Sequence, residues 1–344
     1  MTLTIPGLPS LKGRRRKLVS ISAEELVQVT ALQANSPLPG LIQPTVQTLS
    51  LTAWAKSHRA LIESQLHQRG GILFRGFQVQ GAEDFGEFMQ AIAQELMSYT
   101  YRSTPRTHVQ GKVYTSTEYP PNRSIPLHNE MAYANQYPAK IAFYCVQPAE
   151  QGGETPIADS RRVFTGIDPT IRARFQQQGV LYVRNYGGGL DLPWQNVFQT
   201  EQRSVVEDYC RRANINFEWW GQDQFQTRQI CAAIATHPQT GELVWFNQAH
   251  LFHVSGLEPA VQQSLLASSS HLPRNAYYGD GSVIEDSVLA SIRQVYAQET
   301  ITFLWQAGDV LLLDNLLAAH GRRPFVGHRT VLAGMADPII SKSR

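Results

Sequence analysis

The sequence predicts an α+β fold, and three observations support this prediction. Apolar residues in the first hundred positions recur mainly at helical spacing. From Lys112 onwards, short β-rich segments alternate with glycine-containing turns, a pattern typical of sandwiches and barrels. Further helical segments interrupt these strands. The 344 residues, of which 42% are hydrophobic and 17% charged, suit one large soluble domain or two small ones.

The N-terminal part is predicted to be mainly helical. Ser22 and Glu25 form a capping-box pattern ahead of spaced apolar residues, which predicts that a helix begins there. Residues 35–44 contain three prolines and are predicted to form a loop. Helical spacing over 51–70, with glycine at its end, predicts a second helix. The same spacing returns over 82–96 and predicts a third.

The remainder of the chain is predicted to alternate between short strands and helices. Strands are expected at 71–77, 113–116, 140–146, 180–183, 230–235, 243–246, 301–304, 310–313 and 330–335. Asp168 followed by Pro169 is typical of a helix start, with proline at the first helical position. Two more helices are expected at 200–213 and 285–298.

The most informative motif is His128-Asn129-Glu130, which is followed much later by His320. Two imidazoles and one carboxylate form a facial ligand set for non-heme Fe(II) and leave coordination positions open. In a strand, residues i and i+2 point to the same face, so His128 and Glu130 could reach one metal. On their own, His128 and Glu130 could equally be two residues on the solvent-facing side of a strand. His320 favours the metal site, because it follows an apolar run and is expected to lie on a short strand.

His250 and His253 form the main competing pair, because on a helix they would share one face. The glutamate that follows the first histidine in helical zinc-protease motifs is absent, so a structural or supporting role is favoured. Cys145, Cys210 and Cys231 are odd in number and far apart. They predict neither a disulfide framework nor a zinc site.

Charge and hydropathy exclude several other classes of function. A net charge of +2 implies no general affinity for nucleic acid. The basic run at 14–17 is expected to be a solvated arm, with a nucleic-acid or membrane patch as the alternative. No apolar stretch approaches the length of a membrane span, and the N-terminus lacks an apolar signal core. We therefore expect a cytoplasmic protein without a nucleic-acid or membrane partner.

Arg329 stands at the start of an apolar run near the C-terminus. An arginine that points from a strand into a barrel needs a partner, because an unpaired buried charge costs several kcal/mol. A carboxylate ligand would supply that partner through paired hydrogen bonds. Arg322 and Arg323 are the rival candidates. They are otherwise expected to face solvent, to contact a lid or to meet an acidic substrate.

The order of these motifs resembles the Fe(II)/2-oxoglutarate dioxygenases of the taurine dioxygenase and clavaminate synthase superfamily. The resemblance rests on residues 124–133 (SIPLHNEMAY), 152–155 (GGET) and 320–329 (HGRRPFVGHR), and it covers about 70–338. Glu130 stands where taurine dioxygenase has aspartate. In this respect the chain is similar to the amino-acid hydroxylases of nonribosomal peptide pathways, such as the aspartyl hydroxylase of syringomycin assembly.

The resemblance implies a double-stranded β-helix, or jelly-roll, core with flanking helices and a large mixed insert. The insert would occupy about 160–300 within a single dioxygenase domain over 70–344. Residues 1–69 would form an N-terminal arm and helices that pack on this core. Composition alone does not go beyond α+β.

The resemblance also implies Fe(II) as the cofactor, with 2-oxoglutarate and O2 as co-substrates. His128, Glu130 and His320 would be the metal ligands and catalytic residues. Arg329 and Thr155 would bind the distal carboxylate of 2-oxoglutarate. Conversion of 2-oxoglutarate to succinate and CO2 would drive hydroxylation of an unactivated C–H bond. The carboxylate at 130 disfavours halogenation, because halogenating members have a small residue in its place.

The substrate that the resemblance implies is an amino acid, either free or bound to a carrier protein as a thioester. The candidate substrate-binding residues are Asn129, Tyr133, Arg184, Asn247 and Arg323. Arg184 could bind a substrate carboxylate or form a structural ion pair. The same iron site also supports desaturation, decarboxylation and cyclisation. A non-catalytic jelly-roll binding protein and a zinc hydrolase are the alternatives from other classes. The sequence indicates no oligomeric state.

Overall fold

The computed structural model describes residues 26–34, 36–99, 101, 103–104, 106–187, 192–220, 224–268 and 272–341. The basic run at 14–17 and the capping box of Ser22 and Glu25 lie outside the described residues. No helix within the described ranges is both long enough and apolar enough to cross a membrane.

The described residues form strands and helices throughout the chain. The strands are β1 Val27–Gln33, β2 Ser36–Pro44, β3 Gly71–Phe74, β4 His108–Gln110, β5 Val113–Thr115, β6 Ile125–His128, β7 Gln136–Gln147, β8 Gln151–Gly152, β9 Ile157–Asp159, β10 Val180–Tyr186, β11 Asn216–Trp220, β12 Gln224–Cys231, β13 Ile234–Thr236, β14 Leu243–Trp245, β15 Arg274–Tyr278, β16 Val310–Asp314, β17 Ala318–Arg322, β18 Phe325–Val326 and β19 Thr330–Ile340. The helices are α1 Leu51–Ser57, α2 Arg59–Arg69, α3 Gly81–Ile92, α4 Ser160–Gly166, α5 Pro169–Gln178, α6 Trp194–Phe198, α7 Arg203–Arg212, α8 Ala249–Phe252, α9 Pro259–Ser268 and α10 Asp286–Gln298, with a 3-10 turn at Val254–Gly256.

The larger core sheet has eight strands in the order β1-β2-β3-β16-β7-β19-β5-β4. Its neighbouring strands are antiparallel, except that β2 and β3 run parallel. In β16 the side chains alternate between two apolar clusters. Val310 and Leu312 pack with residues of α1, α2 and α3, whereas Leu311 and Leu313 belong to the cluster on the other side. Helices therefore cover one face of this sheet, and the other face is free to pack on a second sheet.

The second core sheet has three strands in the order β6-β17-β9. It packs against the larger sheet, since the rings of Phe143 in β7 and His320 in β17 have centroids 5.0 Å apart. Two face-to-face antiparallel sheets with helices on the outside form the predicted jelly-roll, and the predicted α+β class is confirmed.

A large insertion separates β9 from β16. It contains α4 to α10 and β10 to β15, and β10 lies inside a four-stranded sheet ordered β11-β12-β10-β15. The predicted helix start at Asp168 is confirmed, because its carboxylate accepts the backbone N–H groups of Thr170 and Ile171. The helices predicted at 200–213 and 285–298 correspond to α7 and α10.

Two predictions for the N-terminal region are wrong. The residues that follow the capping box form β1 and not a helix, and most of the loop predicted over 35–44 is β2. β1 and β2 pair along nearly their whole length, and residues 40–42 of β2 also pair with β3. Their backbone groups are thus satisfied by the sheet, and this tertiary pairing outweighs the local helix and turn signals.

The prolines of β2 fit this arrangement because of where they fall. Pro37 and Pro39 precede the residues that pair with β3, and they lie opposite the register shift between Ala31 and Gln33 in β1. A proline is tolerated at such an irregularity, where no ladder hydrogen bond is lost.

Two smaller differences concern element lengths. The helix predicted over 51–70 is divided into α1 and α2 at His58, and it ends as predicted at Gly70, whose φ is 79°. The strand predicted at 301–304 is wrong. Only Ile301 pairs there, through a single bridge to Ile157.

Candidate metal centre and its cavity

Strand pairing brings His128 and His320 together. β6 ends at His128, and antiparallel β17 places His320 directly opposite it, with ring centroids 4.6 Å apart. Glu130 lies in the turn after β6, and its Oε2 is 3.7 Å from His320 Nε2. The ligand atoms of the three residues lie within 4.8 Å of one another. Glu130 thus reaches the group through a turn, although the sequence predicted that a strand would carry it.

Two buried asparagines fix the turn that carries Glu130. Asn315, directly after β16, accepts the backbone N–H of Glu130 at 2.7 Å and donates to its carbonyl oxygen at 2.9 Å. Asn129 donates to the carbonyl oxygen of Asn315 at 2.7 Å. The sequence showed Asn315 only as the polar end of an apolar strand, so its positioning role was missed.

The protonation state of His128 suits a metal ligand. Its Nδ1 lies 2.8 Å from the carbonyl oxygen of Pro126, which can only accept, so Nδ1 carries the proton and Nε2 keeps its lone pair. Burial, and then the neighbouring His320, lower the pKa of His128 to about 4. The imidazole is therefore neutral near pH 7, as metal ligation requires.

Arg106 is a buried partner of Glu130 that the sequence did not reveal. Its Nη2 donates to Glu130 Oε2 at 2.6 Å, and the two side chains are only 2% and 3% exposed. Burial works to raise the pKa of Glu130, but Arg106 and then His320 outweigh it, so this pKa lies well below its usual range. Arg106 belongs to no helix, strand or motif, and no sequence pattern indicated it.

A small cavity of about 30 Å³ adjoins this group. Its lining residues come from both core sheets and the loops between them: Arg106, Ser116, Thr117, Ile125, His128, Phe143, Thr155, His320, Gly321, Arg322 and Arg329. The structure therefore brings the predicted Thr155 and Arg329 to the same cavity as the two histidines.

Arg329 and Thr155 offer hydrogen-bond donors in this cavity. Arg329 lies directly before β19, and its Nε donates to the carbonyl oxygen of Gly153 at 2.9 Å. Burial, and then the nearby Arg322, lower the pKa of Arg329 to about 10. The surroundings thus disfavour its charge and would favour a bound anion. The Thr155 hydroxyl accepts from Trp305 Nε1 at 3.2 Å, so its own proton is available to a ligand.

The rival arginines have other surroundings. Arg322 is buried and donates to the backbone carbonyl oxygens of Tyr119, Pro120 and Arg123, so it holds that loop against β17. Arg323 is exposed, and its backbone N–H donates to the carbonyl oxygen of Glu154.

Other histidines lie outside the group formed by His128, Glu130 and His320. His250 Nε2 lies 2.9 Å from the carbonyl oxygen of Leu127, next to His128 in the chain, so His250 supports the end of β6. Burial lowers the pKa of His250 to about 4. A second set of two histidines and a carboxylate, His67, His237 and Asp314, also has its ligand atoms within 4.8 Å of one another.

Three of the predicted substrate residues lie within the protein interior, outside the lining of the cavity. Asn129 and Asn247 are fully buried, and Asn247 donates to the carbonyl oxygen of Ala233 at 2.9 Å. The hydroxyl of Tyr133 donates to the carbonyl oxygen of Tyr101 at 3.0 Å. Each of the three side chains thus makes at least one internal hydrogen bond.

Arg184 is likewise 1% exposed and does not belong to the cavity lining. Its guanidinium carbon lies 5.2, 5.7 and 5.1 Å from the ring centroids of Tyr101, Tyr133 and Tyr186. These rings surround the cation at cation–π distance.

The donor set fits Fe(II) and 2-oxoglutarate. Two imidazoles and one ionised carboxylate leave positions open for a bidentate ligand. A buried guanidinium and a hydroxyl beside them suit the second carboxylate of a dicarboxylic acid. 2-Oxoglutarate would use both parts of the cavity. Its keto-acid end would chelate the metal, and its distal carboxylate would contact Arg329 and Thr155.

Comparison with known proteins agrees with this chemistry. A model of the taurine catabolism dioxygenase TauD, TfdA family matches residues 34–336. The chain is 42% identical over 313 residues to the dapdiamide synthesis protein DdaC of Enterobacter agglomerans, covering 90% of this chain and 94% of that protein. It is 32% identical over 320 residues to a clavaminate synthase-like protein of Arabidopsis thaliana, covering 88% and 94%.

Solved structures share the fold. The PvcB protein of Pseudomonas aeruginosa matches with a TM-score of 0.56 and 16% identity, over 92% of this chain and 93% of that chain. A structure of PvcB described as an Fe, alpha-ketoglutarate dependent oxygenase from an isonitrile synthetic pathway matches with a TM-score of 0.54 and 15% identity, over the same shares. The family match covers the whole second core sheet and, in the larger sheet, all strands except β1 and the last residues of β19. The chain therefore belongs to the TauD/TfdA family and is an Fe(II)- and 2-oxoglutarate-dependent dioxygenase.

Proposed function

We propose that this dioxygenase hydroxylates an unactivated C–H bond of an amino acid, free or carried as a thioester, in specialised metabolism. The observation that carries the proposal is the single cavity that joins His128 and His320 to Thr155 and Arg329. The resemblance to amino-acid hydroxylases, through glutamate at position 130, supports the substrate class. The similarity to a protein of dapdiamide synthesis supports a biosynthetic setting.

In this proposal His128, Glu130 and His320 hold Fe(II). When bound, the iron supplies activated oxygen while 2-oxoglutarate is converted to succinate and CO2. The chain prepares the ligands in advance, since His128 is already neutral and Glu130 already ionised. The burial of Glu130 and His320 limits the access of water to the reacting centre.

Arg329 and Thr155 would bind the distal carboxylate of 2-oxoglutarate. A guanidinium and a hydroxyl on one side of the cavity fix that end of the co-substrate, so its keto-acid end is directed to the metal side. Paired hydrogen bonds from arginine make this contact both strong and oriented.

The test is a mass-spectrometric screen of amino acids with Fe(II), 2-oxoglutarate and ascorbate, with and without loading on a carrier protein. The expected result is the gain of one oxygen atom by one amino acid or loaded carrier, with stoichiometric succinate. Robust turnover of taurine, without an oxygen gain on any amino acid or carrier, would contradict the proposed substrate class.

The same screen separates the neighbouring outcomes. Loss of two hydrogens identifies desaturation, and loss of CO2 from the substrate identifies decarboxylation. Product formation without oxygen would instead support hydrolysis. Omission of 2-oxoglutarate is the control, since it should abolish every product of the proposed chemistry.

A further inference from the structure

Two buried side chains of the insertion reach the segment around His128. His250 Nε2 lies 2.9 Å from the carbonyl oxygen of Leu127, and Gln248 Nε2 donates to the carbonyl oxygen of Asn129 at 2.7 Å. Gln248 and His250 are each 4% exposed. The two contacted carbonyl groups belong to the residues directly before and directly after His128, so the insertion contacts the backbone on both sides of this proposed ligand.

The peptide group that joins Asn129 to Glu130 is held at both of its polar atoms. Gln248 donates to its carbonyl oxygen, and Asn315 accepts its N–H at 2.7 Å. The carbonyl oxygen also accepts the backbone N–H of Ala132, at the longer distance of 3.3 Å. Because a peptide group is planar, holding both atoms fixes its orientation. The direction in which the Glu130 side chain leaves the backbone is fixed with it.

The strand that ends at His128 has a neighbouring strand on one side only. β6 is an edge strand in the order β6-β17-β9, and Leu127 has no partner in its register with β17. A buried carbonyl group at such an edge needs a donor from elsewhere, and the His250 ring supplies it. The carbonyl oxygen can only accept, so Nε2 of His250 carries the ring proton. Nδ1 is buried without a hydrogen-bond partner among the described residues, so the polar contribution of this ring is directed to Leu127.

The segment that carries Gln248 and His250 is itself fixed within the insertion. The backbone N–H of Gln248 donates to the hydroxyl oxygen of Tyr182 on β10 at 2.7 Å. Arg293 of α10 donates to the carbonyl oxygen of His250 through Nε at 3.1 Å and Nη2 at 2.9 Å. The backbone around His128 is thereby connected to a strand and a helix of the insertion.

We propose that Gln248 and His250 are positioning residues, which hold the peptide groups around His128 so that His128 and Glu130 present their ligand atoms to one metal ion. Neither residue is a ligand in this role. The inference rests on the proposed metal ligands and deepens that proposal, because it assigns part of the metal geometry to the insertion and not only to the jelly-roll sheets. Contacts that orient metal ligands are typically worth about tenfold to a hundredfold in metal affinity or activity.

The first test measures metal binding with Co(II) as the probe, under argon. Co(II) binds the same donor types as Fe(II), and its visible absorption depends on the number and arrangement of its ligands. Gln248→Met and His250→Met keep an extended side chain and remove the N–H donor. Each should lower Co(II) affinity by about tenfold to a hundredfold and change the absorption spectrum of the saturated protein. A loss of less than about fivefold in either folded variant would overturn the inference.

Gln229→Met is the matched control. Gln229 is 2% exposed, lies on β12 of the insertion and donates to the carbonyl oxygen of Ala213 at 3.0 Å. The same substitution thus removes the same kind of buried hydrogen bond away from the segment around His128. Without metal, its urea midpoint should fall about as much as that of Gln248→Met, but its Co(II) affinity should stay within about twofold of wild type. An equal loss of Co(II) affinity in Gln229→Met would show that general destabilisation causes the effect, and it would overturn the inference.

His250→Gln tests the hydrogen bond itself. A glutamine amide can supply an N–H donor close to the position of Nε2, so this variant should bind Co(II) within about threefold of wild type. Equal losses in His250→Gln and His250→Met would overturn the role of His250. If His250→Met does not fold, the comparison of Gln248→Met with Gln229→Met still decides the inference.

His320→Ala separates failure of this inference from failure of the proposed ligand set. If Co(II) binding by the wild type survives unchanged in His320→Ala, the proposed ligands themselves are wrong. If binding is lost in His320→Ala and is unchanged in Gln248→Met and His250→Met, the ligands are right and only the positioning role is wrong.

Discussion

Two groups in this protein consist of two histidines and one carboxylate within 4.8 Å, yet they are built differently. In the first, His128 Nδ1 donates to a backbone carbonyl oxygen, so Nε2 has a lone pair for a metal. In the second, His237 Nδ1 accepts the backbone N–H of Thr240, so its proton is on Nε2 and is donated to Asp314. The direction of one backbone hydrogen bond thus separates the candidate ligand His128 from His237, which is held by structural hydrogen bonds.

The carboxylates differ in the same way. Glu130 Oε2 accepts from Arg106, whereas Asp314 Oδ1 accepts the backbone N–H groups of Leu316 and Leu317. Asp314 therefore fixes the turn between β16 and β17. Residue types and distances alone do not define a metal site. The position of the ring proton also matters, because metal-binding histidines usually donate their second nitrogen to an acceptor.

The largest expected effect comes from removing a ligand of the first group. His320→Ala should lower metal affinity and 2-oxoglutarate turnover by on the order of a hundredfold or more, because it removes one of three ligands. Metal content and succinate formation measure this. His67→Ala, in the second group, is the control and should keep both. Full iron occupancy with unchanged turnover in His320→Ala would remove the distinction between the groups.

A smaller effect is expected from Arg329, which lines the cavity beside the first group. Loss of a buried arginine–carboxylate contact typically costs about 2–5 kcal/mol, so Arg329→Ala should raise the 2-oxoglutarate requirement by well over tenfold. Metal should still bind, because Arg329 is not a ligand. The measurement is succinate formation against co-substrate concentration. If the requirement matches the wild type, Arg322 or Arg323 becomes the better candidate.

The pH dependence of metal binding sharpens the comparison further. Protons compete with metal only below the pKa of the ligand, and burial and His320 lower that of His128 to about 4. Proton competition at His128 should therefore change Mn(II) affinity little between pH 7.5 and pH 5, whereas competition at a histidine with an ordinary pKa near 6.5 would lower it about thirtyfold over this range. The Cε1 proton signal of His128 in the metal-free protein, assigned with His128→Gln, measures this by NMR. A titration midpoint near 6.5 would contradict the prediction.

The same pKa predicts how the metal-free protein responds to acid. Because the folded pKa of His128 is lowered, the unfolded chain takes up the proton first, and stability falls as the pH drops from about 6.5 toward 4. His250, also lowered to about 4 by burial, contributes in the same direction. Urea unfolding at several pH values with and without Mn(II) measures this, and a stability that rises toward pH 4 would contradict it.

The sequence predicted the first group because its residue types and motif order are readable along the chain. Strand pairing then placed His320 opposite His128, as an inward histidine on a short strand requires. Arg106 and Asn315 could not be predicted, since their roles depend on which atoms of Glu130 they meet after folding. The strand pattern of β1 and β2 was likewise obscured by local helix and proline signals. Only the pairing of β2 with β3, which the sequence does not show, determines that these residues form strands.

The predicted substrate residues also show what the sequence alone could not predict. Arg184 on β10 was predicted to face the substrate or form an ion pair, and the structure surrounds it with three tyrosine rings. An alternating strand pattern cannot tell which of its two faces meets the site, because both faces of β10 are largely buried.

The smallest expected effect tests the second group itself. In Asp314→Asn the amide can still accept the backbone N–H groups with its oxygen, but it then presents N–H donors to the donating Nε2 of His237. His237 cannot reverse its tautomer without losing the Thr240 hydrogen bond, so one buried donor is left unsatisfied. We expect a loss of about 1–3 kcal/mol in the free energy of unfolding, measured in urea, with metal content unchanged at one ion per chain. If the wild type bound two ions and Asp314→Asn only one, the second group would be a metal site as well. The orientation of a backbone hydrogen bond would then no longer separate the two groups.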